Sequence, residues 1–282
     1  MNPAQIAVRS GFARGWIEFK QIMTDGQDMW NVMFFPIGTL IAMFFMRNAS
    51  VPGLDFSLGT QAMPGVLGMQ VMFGGMIGVA AALMVEREDG TLLRAKATPN
   101  GMLGYLIGKI TGAAYGTLLG VLLVLVPGLF MLDGIVLGPA GALTMLWVLL
   151  LGLAATMPIG AILGSLGDNP RNLGLVMLPN MGLVAISGIF YPITAMPHWL
   201  QTVAQAFPMY WLGLGMRLAL LPPELVNAEI GDSWRHWQTA AVLMLWTAAG
   251  LLTAPAILRR MARRESGSRV AARRERAMHR VQ

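Results

Sequence analysis

The chain has no cysteine and only three histidines, His198, His236 and His279, none of them in a His-Glu-x-x-His string. Disulfides, thiolate catalysis and cysteine metal sites are thereby excluded, and histidine-based metal hydrolysis has no ligand set. Charge is scarce as well: 12% of the 282 residues are charged, against roughly a quarter in soluble domains. The deficit falls in long runs without an acidic or basic side chain, while 55% of residues are hydrophobic and the mean hydropathy is +0.60. That balance describes a polytopic membrane protein. A phosphate-cradling loop is also missing. The nearest string, Gly104-Tyr-Leu-Ile-Gly108-Lys109-Ile110, has too short a spacer, no Ser or Thr after the lysine and no preceding strand. Any ATP is therefore hydrolysed in another chain. The middle of every apolar run is uncharged, which argues against a proton- or sodium-coupled carrier. Ser187-Gly188 with His198 eleven residues on lacks a completed nucleophile, base and oxyanion constellation. The N-terminus has no apolar core followed by a small-residue cleavage site, so the first span is expected to do the targeting.

What is present is an all-α pattern. Six transmembrane helices are expected at about 30–46, 63–85, 102–132, 139–166, 173–190 and 237–258. Ahead of them, residues 1–29 form an amphipathic interfacial helix, with Val8, Phe12, Trp16, Phe19 and Met23 on one face and Arg14, Glu18, Gln21 and Asp25 opposite. The spans make one domain, 30–258, and residues 259–282 are a basic tail with nine arginines. The pI near 10.3 does not imply nucleic acid. With the N-terminus inside, seventeen of the 20 lysines and arginines fall on cytoplasmic segments, leaving Arg47, Arg217 and Arg235 outside. The positive-inside rule then puts both termini in the cytoplasm, and the tail is suited to anionic headgroups.

Two segments stand out. The first, 86–99, is a dense charged island between spans two and three: Glu86, Arg87, Glu88, Asp89, Gly90, Thr91, Leu92, then Arg94, Lys96, Thr98 and Pro99. Asp89 and Thr91 suit a helix N-terminus, Gly90 a joint, Arg94 and Lys96 a last turn, and Pro99 a stop. A stub helix held between two spans is a mechanical handle. The second, 191–211, follows span five. Pro192, Pro197 and Pro208 break an apolar stretch that also holds Phe190, Tyr191 and Phe207, and such a segment re-enters the outer leaflet packed against protein. Span three carries Gly104, Gly108, Gly112, Gly116 and Gly120, a ridge for close helix approach within one subunit or between two. Among the 23 methionines, Met69, Met72 and Met76 recur beside Phe73 on one face of span two. They suit either core packing or contact with apolar cargo.

The run Glu86-Arg87-Glu88, Gly90-Thr91-Leu92, Thr98-Pro99 and Gly108-Lys109 resembles the loop between the second and third helices of ABC exporter permeases of the type-2 family, of the daunorubicin-resistance kind. The spacing Phe190, Pro192, Pro197, Pro208, Arg217 resembles the short external re-entrant helices of the same family. The resemblance implies a permease subunit that is not itself an enzyme. It implies a cytoplasmic coupling helix at 86–99 docked into a separate ATPase, present in two copies and holding ATP and Mg. It also implies a connecting helix containing Phe12, Trp16 and Phe19, and an external gate of Phe190, Tyr191, Pro192, Pro197, Phe207 and Pro208. The chain itself would bind no cofactor. A second permease copy or a homologous permease would complete the pathway in the plasma membrane, and the cargo would be amphipathic and drug-like or lipid-like. Export of a polysaccharide or glycolipid, and a membrane anchor or sensor that moves nothing, remain as other readings.

Overall fold

The computed structural model describes residues 3–49, 57–89, 91–97, 101–167 and 173–264. Among them there are helices and no strands. Helix α1 (Pro3–Thr24) ends where Asp25 takes over as N-cap of α2 (Gly26–Met46), its carboxylate accepting from the amides of Gln27 and Asp28. Ser57 caps α3 (Leu58–Phe73) in the same way. A π turn, Gly74–Gly78, passes α3 into α4 (Val79–Asp89) without a break in direction. The stub α5 (Thr91–Lys96) and the long α6 (Gly101–Met131) follow. Pro139 at the first position starts α7 (Pro139–Leu166), and Pro208 does the same for α10 (Pro208–Leu220). Between these lie α8 (Leu173–Ile186) and α9 (His198–Ala206), and α11 (His236–Arg264) closes the chain.

Among the described residues, five helical segments are long and apolar enough to cross a membrane: α2, Leu58–Arg87, Gly104–Met131, α7 and His236–Met261. The expected fifth span, 173–190, is a helix only to Ile186, and its 14 residues rise about 21 Å, short of the roughly 30 Å hydrocarbon core. Gly188, at φ +66°, turns the chain out of that helix before the expected end. In the bundle, α3 and α4 run through the centre against α7 and α10; α1 and α2 lie on α6 at one side, and α11 lies on α7 at the other. Most residues of the central segment Leu58–Arg87 are buried, whereas α2 buries only Pro36 and Met43 and turns Trp30, Phe34, Ile41 and Phe45 outward. In a membrane these exposed apolar faces meet lipid or another chain rather than water.

The π turn is the tightest point of the core. Thr117 and Thr156 each donate their hydroxyl to a carbonyl of their own helix, at 2.8 Å to Ala113 and Gly152. Both hydroxyls then press against the π turn, where a Cβ on Gly74 or Gly75 would overlap Thr117 Oγ1 or Thr156 Oγ1. Gly75→Ala is expected to destabilise the protein by about 1–3 kcal/mol, the usual range for overpacking. Adding Thr156→Ala should recover most of that loss. Thermal unfolding in detergent checks both, and a single variant as stable as wild type would show that the turn yields freely.

Candidate functional site

The face of α1 that meets the protein is not its apolar one. Ala7, Gly11 and Gly15 are buried while Ile6, Phe12, Trp16 and Ile17 are exposed. The small residues let α1 lie directly on α6: a Cβ on Gly11 would come within 2.7 Å of Ile107 Cβ, and one on Gly15 within 2.6 Å of Thr111 Cβ. The inner half of the glycine ridge supplies the other side of this crossing, with Gly104 against Ala7, Gly108 against Arg14 and Gly112 against Glu18. Phe19 is half-buried, and Trp16, Phe19 and Tyr115 form a ring trio with centroids 5.6 Å apart.

That approach brings four charges from three helices together. Arg14 Nε donates to Glu18 Oε1 at 2.9 Å and its Nη2 to Glu86 Oε1 at 3.0 Å. Lys109 Nζ lies 2.9 Å from Glu18 Oε2 and 2.7 Å from Glu86 Oε1. The network joins α1, the inner end of α4 and the inner end of α6, and its formal charges cancel. Burial works against the Arg14 charge, but its hydrogen bond to Glu18 and the charge of Glu86 outweigh it and push its pKa above the usual guanidinium value. Tyr105 lies beneath the Arg14 guanidinium, 5.2 Å from its ring centroid, and is fully buried.

The neighbouring residue makes a second clamp. Arg87 Nη1 donates to the carbonyl oxygens of Ser165 at 3.0 Å and Gly167 at 2.6 Å. It thereby satisfies orphan carbonyls at the C-terminal end of α7. Glu86 and Arg87 are 8% and 6% exposed, so the structure places both inside the subunit. Beyond them α5 carries Thr91 and an exposed Arg94, whose Nη2 donates to Thr91 Oγ1 at 2.7 Å. The stub lies against α4, α6 and α11. Gly90, Pro99, residues 265–282 and the side chains of Glu88, Asp89, Leu92 and Lys96 lie outside the described residues.

Above the charge network opens a cavity of about 590 Å³. Glu18 and Lys109 stand at one end and Gln70 and Gly120 at the other, with Phe35, Phe73, Ile77 and Ala113 among the apolar walls. The eleven residues from Lys109 to Gly120 span about 16 Å of α6. Of the four candidate cargo residues, Phe73 lines the cavity, whereas Met69, Met72 and Met76 are core residues no more than 5% exposed. Residues that the sequence reading passed over as lining are Gln70, Thr117 and the short helix's Met177 and Met181. Gln70 as the polar residue inside a charge-free run was the available signal.

At the opposite end, the 191–211 segment folds as a 3₁₀ turn (Ile193–Ala195), α9 and the start of α10. Phe190 and Pro197 are exposed, Tyr191, Pro192 and Phe207 half-buried, and Pro208 buried. The Tyr191 hydroxyl donates to the Ala185 carbonyl, Trp246 Nε1 donates to Ala206 O at 3.0 Å, and Phe207 stacks on Trp246 with centroids 6.3 Å apart. Arg217, 5% exposed, pairs through Nε with Glu229 Oε1 at 2.5 Å and donates from Nη1 to Gly188 O at 3.2 Å. The same buried guanidinium therefore joins α10 both to Glu229 and to the turn that ends α8. None of these groups makes a nucleophile, base and oxyanion constellation, and Ser187 donates its hydroxyl to Val184 O.

No curated protein matches the chain. Residues 54–257, from ahead of α3 into α11, match the model of a family described as ABC-2 family transporter protein, and that stretch is well over half the chain. With its long apolar helices and a stub held between two of them, the chain belongs to the ABC-2 transporter family of multi-pass membrane permeases, transport subunits that generally work with an ABC ATPase subunit.

Proposed function

We propose that this permease is the membrane half of an ATP-driven exporter, similar to the daunorubicin-resistance kind, moving amphipathic drug-like or lipid-like compounds out of the cytoplasm or inner leaflet. The observation that carries the reading is the connection from the stub to the cavity. Glu86, five residues before α5, is bonded to Arg14 and Lys109, and Lys109 is itself cavity lining. A push on α5 reaches the cavity wall through charged contacts rather than through a flexible loop.

In this scheme two ATPase subunits, holding ATP and Mg, dock beneath α5, and a second permease copy or a homologue completes the pathway. The docking surface is the exposed part of the 88–97 elbow, with Glu86 and Arg87 as the transmission behind it. Counting α8 as a short sixth crossing puts both termini in the cytoplasm of a plasma-membrane protein. Phe12 and Trp16 of α1 turn toward headgroups, and Phe190, Tyr191, Pro192, Pro197, Phe207 and Pro208 close the outer end.

The test is reconstitution of the chain with its ATPase subunit in liposomes, with ATP supplied outside. Vesicles that expose the ATPase should accumulate a fluorescent uncharged amphiphile in an ATP-dependent manner, and the amphiphile should stimulate hydrolysis. Accumulation that needs neither nucleotide nor the ATPase subunit would overturn the reading.

A further inference from the structure

The deep end of the cavity poses a problem for any purely apolar occupant. Gln70 is 7% exposed, lines the cavity, and its Oε1 has no hydrogen-bond partner among the described residues. That oxygen faces Gly120, where an added Cβ would meet it at 3.3 Å. A buried carbonyl oxygen left unpaired is costly, and the cost is removed when a bound molecule brings a donor to it. An alkyl tail reaching the Gln70 end would bury the amide without satisfying it. The mouth adds a second constraint: Glu18 and Lys109 pair with each other at 2.9 Å, and Arg14 and Glu86 cancel in turn. No net charge is offered to a charged head.

We propose that this cavity, formed within a single subunit, binds an uncharged, elongated apolar molecule of drug size that carries a hydrogen-bond donor at its buried end, with Gln70 Oε1 as the acceptor. The inference rests on the transport reading for its biological sense but not for its test. A volume of about 590 Å³ lies in the usual range for a small-molecule site. The length of about 16 Å along α6 suits a rigid polycycle with a hydroxyl or amide at each end. Thr117, also lining the cavity, has its hydroxyl proton on Ala113 O and so offers no donor of its own, while Gln70 Oε1 is the buried lining oxygen without a partner among the described residues. Simple acyl lipids are disfavoured by the same argument, because their far end is a methyl group.

The experiment is equilibrium binding to the purified full chain in detergent, without ATPase, using two tritiated probes. One is androstane-3,17-diol, a rigid tetracycle with a hydroxyl at each end; the other is androstane-3,17-dione, which keeps both oxygens but carries no donor. Wild type should bind the diol about tenfold more tightly, the size expected of one hydrogen bond made against one left unmade. Gln70→Leu should bring the two affinities together. Gly116 lines the cavity and a Cβ there meets nothing within 4 Å, so Gly116→Leu should fold normally and lose saturable binding of both probes. Equal affinity for the two probes in wild type would overturn the proposal whatever the variants do, as would undiminished binding in Gly116→Leu. Binding that follows this pattern alongside failed ATP-dependent transport would remove the exporter reading and leave the site standing.

Discussion

Lys109→Met should uncouple the permease from its ATPase and weaken the fold at the same time. Glu86 Oε1 is held by Lys109 Nζ at 2.7 Å and Arg14 Nη2 at 3.0 Å, while Glu18 draws on the same two cations. Removing the lysine leaves two carboxylates sharing one guanidinium, with an uncompensated negative charge where the Glu86 side chain is 11% exposed. Breaking a buried pair costs about 3–5 kcal/mol. The low end applies here, because the Arg14 side chain is a third exposed and water screens part of the repulsion. Lys109→Arg keeps the charge and should retain most of both properties. The double variant Lys109→Met with Glu86→Met separates the two effects. It leaves the neutral Arg14–Glu18 pair intact, so stability should return to within about 1 kcal/mol of wild type by the logic of apolar replacement of an ion pair. Cargo-stimulated hydrolysis should stay at least tenfold down, because the charged link from the end of α4 to α1 and α6 is then gone. Recovery of coupling in the double variant would show that the network serves only stability.

The second large effect lies at the other end of the molecule. Arg217→Met should cost about 3–5 kcal/mol, since Glu229 would keep a buried charge with no partner at 5% exposure. Gly188 O would also lose its donor. Glu229→Leu alone should be comparably damaging, stranding the guanidinium instead. Together, Arg217→Met and Glu229→Leu should be far milder than either alone, because the desolvation of both charges is then avoided. Thermal unfolding of the four proteins completes the cycle. Strict additivity would mean that the two side chains do not interact. Arg217 also holds the turn after α8, so the single variants should increase proteolytic cleavage between Gly188 and Pro197 well below the unfolding temperature.

Much of the architecture was legible because membrane insertion writes it in long apolar runs. The bounds of α7 match the expected 139–166, and the stub α5 sits inside the charged island. Orientation within those runs was less legible. In α1 only the apolar, interfacial face was marked and not the face that packs, because in lipid an apolar surface has no reason to turn inward. The small residues Ala7, Gly11 and Gly15, complementary to Gly104 and Gly108, carried that information. Glu86 and Arg87 were expected to couple to an ATPase because they open the charged island, and their burial was not legible there. The helix continues past them to Asp89, which leaves both on buried turns reaching other helices. Met69, Met72 and Met76 show why periodicity cannot separate cargo contact from core: a face with helical spacing has the same pattern whichever it meets. The π turn was not foreseen either, although Gly74-Gly75 at the middle of a span marks the place where threonine hydroxyls could approach the backbone.

The central claim, that a separate ATPase engages this subunit at the 88–97 elbow, is open to one direct measurement made easy by the absence of cysteine. Arg94→Cys places a single thiol on the exposed side of α5, and a photo-cross-linker attached there should capture the ATPase subunit in membranes containing both proteins. The same cross-linker on His198→Cys, exposed in the outer segment, should capture none. Capture from position 198 and not from position 94 would contradict the account, because force would then have no path from a nucleotide-bound partner to Glu86, Lys109 and the cavity.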